Sequence, residues 1–199
     1  MPSNKDRLYV GLYARGGTAK MPGGEDRSGS ESIPAMSRLT DSTRYHWALL
    51  VAPKVEDSET RGKRFHAKER IYSGMQSVWE FSEQETGTSS TLMILVRIQV
   101  AKVMNMRSLE AILRSVPVRG EQRGWNCVEW VREALAALQN DNKALGTSVL
   151  DWATVRDTAM WYVEQKAMQH RFDGQAAPGQ FDTSRVSTYD LLERKELVP

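Results

Sequence analysis

The sequence predicts an α+β fold, an antiparallel sheet with helices packed on one face. Three observations carry this. The strand signals lie before residue 104, the helical periodicities lie after it, and no glycine-rich turn leads from a strand into a helix. Strands followed by helices segregate into a sheet and a helical layer rather than a parallel βαβ array.

The elements follow in order. RLYVGLYAR (7–15) is short, aromatic and β-branched, which is a strand signal. Residues 15–43 are rich in Gly, Ser and Pro without periodicity, and so read as a long flexible loop. RYHWALLVAP (44–53) is apolar at successive positions, as an interior strand requires. KRFHAKERIY (63–72), SVWEFSEQE (77–85) and LMILVRIQVAKV (92–103) complete a sheet of four or five strands. MRSLEAILRSV (106–116) has helical spacing and stops before Pro117, which cannot continue it. A second helix starts after Asn126, a favourable N-cap, and runs to about residue 139. Residues 148–172 read as a long amphipathic helix or two, and the tail is polar and turn-rich. The chain of 199 residues is expected to form a single domain (1–199). Within it, 147–199 is expected to be a helical C-terminal extension.

Composition narrows the function. Hydrophobic residues make up 40% and charged residues 26%, with a net charge of +2 and interspersed signs. That balance leaves no electrostatic footprint for nucleic acid. No apolar run approaches the ~20 residues that span a bilayer, and the N-terminus has no signal-peptide core. One cysteine forms no internal disulfide, which favours a reducing, cytoplasmic setting. No stable membrane anchor is expected; a homo-oligomer is compatible with the sequence. ARGGTAK lacks the spacing of a phosphate loop, so no nucleotide cofactor is expected.

The chemistry centres on three residues. Cys127 stands in the first turn of the second helix, where unpaired backbone N–H groups and the macrodipole favour a thiolate. Its helix face, shared with Val131, Ala134, Leu135 and Leu138, points at the sheet. His46 and His66 lie in predicted strands. Hairpin pairing symmetric about Glu56 sets 46 opposite 66, with Cβ atoms ~5 Å apart, so one imidazole can orient the other. If the helix covers the face that carries His46, nucleophile and base meet. Trp125 can wall a pocket beside Asn126, and Trp47 adjoins His46.

These residues carry a resemblance. YHWALLV, RFHAKE and NCVEWV, in this order, resemble the HWA-type strand, second-strand histidine and NCEHFV-type helix start of the lecithin:retinol acyltransferase-like group. That group is a circularly permuted branch of the NlpC-type papain-like thiol enzymes, and the resemblance covers about 44–139, which it implies is the catalytic-like core. The chain is also similar to uncharacterised fungal proteins that share the RYHWALLV and NCVEW phrases. The resemblance implies a thioester intermediate, with Cys127 as nucleophile, His46 as base and His66 as third polar residue. It also implies a small-molecule or peptide substrate. Val128 and Glu129 stand where that group has Glu and His, and 20 residues separate the two histidines.

Other readings stay open. Taken alone, Cys127 is a small buried apolar residue, His46 a satisfied strand histidine and His66 part of a basic edge. Together the three suit a thiol hydrolase or acyltransferase, a non-catalytic binding or assembly domain on the same fold, or a zinc site. No pair of ligands at metal-binding spacing is present, so no metal is expected.

Overall fold

A computed structural model of the chain describes residues 5–15, 41–72, 77–90 and 93–199. The strands are β1 (Arg7–Tyr13), β2 (His46–Ala52), β3 (Arg61–Ile71), β4 (Ser77–Gly87), β5 (Ile94–Val103), β6 (Leu145–Ser148), β7 (Ser187–Asp190) and β8 (Lys195–Val198). The helices are α1 (Met106–Ser115), α2 (Cys127–Asp141) and α3 (Trp152–Met168). Residues 16–40, most of the loop expected over 15–43, lie outside the described residues.

The fold is α+β, but its sheet is mixed rather than wholly antiparallel. Eight strands run in the order β4-β3-β2-β1-β5-β7-β8, with β6 beside the end of β5, and β7 joins β5 in parallel. Between β5 and β7 the chain passes through α1, α2, the short edge strand β6 and α3. A crossover of that length permits a parallel neighbour where a tight hairpin does not. The C-terminal region is therefore a helix followed by two strands, which complete the sheet.

The helices share one face. Alternation along β1 and β2 sends Leu8, Val10, Leu12, Trp47, Leu49 and Val51 into one core with α1, α2 and α3. The reverse face carries a smaller cluster, including Tyr9, Tyr13, Ala48, Leu50 and Val186, that contains no helical residue. The helices therefore shield one side of the sheet and leave polar and charged residues on the other. Among the described residues, no helix is long and apolar enough to cross a membrane.

Candidate active site

Local sequence places the thiol. Gly124 adopts φ +84°, a left-handed turn that glycine takes without strain. Trp125 anchors the turn: its indole N–H donates to Glu133 at 3.1 Å, and its ring meets Trp79 edge-on at 5.6 Å. Asn126 is then extended, and its side-chain oxygen accepts the Val128 N–H at 2.8 Å, capping α2. Glu129 pairs with Arg132 rather than reaching back to the cap. Cys127, Trp130, Val131, Ala134, Leu135 and Leu138 bury one face of α2 against the sheet. Cys127 is 0% exposed.

The histidines meet through a different register from the symmetric one. β2 and β3 pair as Leu49↔Phe65, Leu50↔Arg64 and Val51↔Lys63. Extended, this sets His46 opposite Lys68 and Ala48 opposite His66, two residues away from the expected alignment. An even offset preserves the faces, and the histidines become diagonal neighbours within reach of each other's rings. His46 Nε2 lies 2.6 Å from His66 Nδ1, with ring centroids 4.9 Å apart at 76°. Tyr13, opposite His46 on β1, stands edge-on to its ring at 6.1 Å. The Arg64 guanidinium lies 5.4 Å over the Tyr13 ring.

His46 is not on the face that α2 covers. Period-two alternation gives that side to Trp47, whose ring packs on Trp152 at 5.5 Å, and sends His46 to the reverse face with Tyr13. The thiol bridges this difference. The β2–β3 ladder stops at Leu49↔Phe65, and beyond it the Trp47 N–H donates to Cys127 Sγ at 3.5 Å. By the alternation of backbone bonding, residues 47, 49 and 51 direct their N–H groups to the same edge, toward β3. The sulfur thus takes the place of a strand partner, close to the sheet plane and against the backbone beside His46. Among the described residues, no hydrogen bond joins the sulfur to the His46 ring.

Arg15 completes the surroundings. Its guanidinium lies 3.7 Å from Sγ, and the residue is exposed while the sulfur beneath it is not. Sequence reading missed Arg15, whose one signal is its position two residues beyond Tyr13 at the end of β1. Tyr13 and Arg64 were equally unmarked, because strand pairing alone brings them to the histidines.

Burial sets the charges. It lowers His46 to about 4, helped by the Arg15 and Arg64 charges, and lowers His66 to about 3, helped by His46, Arg64 and Lys68. It also raises the Cys127 thiol, partly offset by the Trp47 N–H and the Arg15 charge. Burial thus works against the expected thiolate. The loss of water around a fully buried sulfur exceeds what the neighbouring N–H groups and Arg15 offset, which favours the neutral form of all three groups at neutral pH. His66 Nε2 is buried with no hydrogen-bond partner among the described residues. Nor do the described residues contain a group of three or more His, Cys, Asp or Glu side chains disposed to hold a metal ion.

Fold and site together define an α+β protein with a buried cysteine at a helix start beside a hydrogen-bonded histidine pair. The chain belongs to a family of unknown function (DUF6914), whose model matches residues 5–198. No curated protein and no solved structure matches it.

Proposed function

We propose that the protein is a cysteine-dependent acyl hydrolase or acyltransferase with a permuted papain-like, NlpC-type core, acting on an amide, ester or thioester of a small molecule or peptide. One observation carries the proposal: the His46–His66 hydrogen bond of 2.6 Å stands next to the strand residue whose backbone N–H holds the Cys127 sulfur. The single cysteine of the sequence suits a cytoplasmic setting.

The charges favour a general-base route over a preformed ion pair. In the tautomer in which His46 donates from Nε2–H to His66 Nδ1, one of the two that the 2.6 Å contact allows, the Nδ1 lone pair of His46 is left to take the thiol proton. The sulfur bonds to the acyl carbon, and the carbonyl π electrons move to its oxygen. Arg15 supplies positive charge to the sulfur and to the oxyanion. When the tetrahedral adduct collapses, the leaving group departs with the proton from His46. Water or another acceptor, deprotonated by the same ring, then displaces the sulfur from the thioester.

One observation favours a second reading, a binding or assembly domain on the same fold: the sulfur is wholly covered and its pKa is raised. An activated ester separates the two. On incubation with p-nitrophenyl acetate, the catalytic reading predicts an acetyl group on Cys127 by peptide mass mapping. It also predicts acetylation roughly 100-fold slower in His46→Ala, the scale of a lost general base. A Cys127 that stays unmodified, or that is acetylated at the same rate in both proteins, leaves the binding domain.

A further inference from the structure

A second site lies on the reverse face of the sheet, at the end of β1 and β2 away from the histidines. Six residue steps along β1 separate Tyr13 from Arg7, about 20 Å along a strand. There a cavity of ≈ 530 Å³ opens between β1, β5, β7 and the segment after β2, a size typical of small-molecule sites.

Its charges are unequal. Arg7, Lys54, Arg97, Lys102, Arg185 and Lys195 line it, against the carboxylates of Glu56, Asp190 and Glu193. All three carboxylates are already engaged. Glu56 pairs with Arg97 at 3.0 Å, Glu193 pairs with Lys195, and Asp190 accepts the N–H groups of Leu192 and Glu193. Lys54, Lys102 and Arg185 have no carboxylate in salt-bridge range among the described residues.

The floor is built rather than incidental. Arg97, 8% exposed in its side chain, donates to Thr188 Oγ1 at 2.8 Å and lies 4.5 Å over the Tyr9 ring. Burial raises the Tyr9 hydroxyl to about 12, so it stays a neutral donor. Gln99, 5% exposed, lines the cavity beside them. Unpaired cations around such a floor focus a positive potential on the cavity.

We propose that this cavity binds a small polyanion, a metabolite with two or more negative charges on phosphate or carboxylate oxygens. Lys54, Lys102 and Arg185 neutralise it, and Gln99 and Tyr9 orient it. The site is separate from Cys127, so its failure leaves the thiol chemistry untouched. The test is calorimetric titration of the full chain with inorganic pyrophosphate and, in parallel, with citrate. Saturable one-site binding of at least one is expected: pyrophosphate alone points to a phosphorylated ligand, citrate alone to a carboxylate, both to charge as the selector. Affinity should fall at least ~10-fold in the double variant Lys54→Glu/Lys102→Glu and in Gln99→Leu. Lys54 is exposed and Lys102 only partly buried, so the double variant should melt, without ligand, close to the parent protein. The proposal is overturned if neither anion saturates, or if the double variant binds as tightly as the parent.

Discussion

The proposed chemistry rests on Cys127, Asn126 and the two histidines, and the cap and the histidines make separable contributions to stability. Asn126→Ala removes the acceptor of the Val128 N–H. It should cost about 1 kcal/mol in urea denaturation, and a cost near zero would show that the cap is not what starts α2. The histidines make stability depend on pH. Their folded values, about 4 and about 3, lie below the ordinary 6.5, so the folded state refuses protons that the unfolded chain accepts. Their contribution is complete above pH 6.5 and is lost as pH falls from there toward 4 and then 3. Between pH 7 and 4.5 the loss should be on the order of 2 kcal/mol for each histidine. His66→Gln should flatten that slope, whereas an unchanged slope would place the acid sensitivity elsewhere. The thiol and its cap were legible in the sequence because capping is local. The face of His46 and the reach of Arg15 depend on where the β2–β3 ladder ends, which no local pattern records.

At the scale of the element, β2 matters most, since it holds His46 and offers the Trp47 N–H to sulfur. Its fit to β3 depends on Gly62, where an added Cβ would stand 2.4 Å from the Val51 carbonyl oxygen. Gly62→Ala should destabilise by about 1–3 kcal/mol, because a backbone atom has to yield; a melting temperature equal to the parent's would contradict this packing. In α2, the indole N–H of fully buried Trp130 finds no partner among the described residues. Trp130→Phe removes an unsatisfied donor along with some volume. It should therefore cost less than the roughly 3–5 kcal/mol of Trp→Ala at such a site, and an equal cost would mean the N–H is paired. Strands β1 to β5 and all three helices were readable because their patterns run for seven residues or more. LGTS, STYD and KELV, the sequences of β6, β7 and β8, were not. Four residues with scattered polar positions become strands only because β5 and then β7 offer an edge.

Across the whole molecule, the C-terminal strands tie the helical layer to the sheet. The Tyr162 hydroxyl lies 2.7 Å from the Glu196 carboxylate and 2.9 Å from the Val198 carbonyl oxygen, and buried Lys166 pairs with Glu196 at 2.6 Å. Tyr162→Phe should cost on the order of 1–2 kcal/mol and should lower amide exchange protection in 195–198 first. Equal protection there would mean that β8 is held by its strand pairing alone. The closure matters for the account because β1, which delivers Arg15, is clamped between β2 and β5, and β5 in turn carries β7. The central claim is that His46 serves the Cys127 thiol, and the rate of alkylation by iodoacetamide between pH 5 and 9 tests it most directly. The account predicts labelling of Cys127 near neutral pH well above the rate allowed by global unfolding, and a marked loss of that rate in His46→Ala. Labelling no faster than unfolding at every pH, and unchanged in His46→Ala, would contradict it.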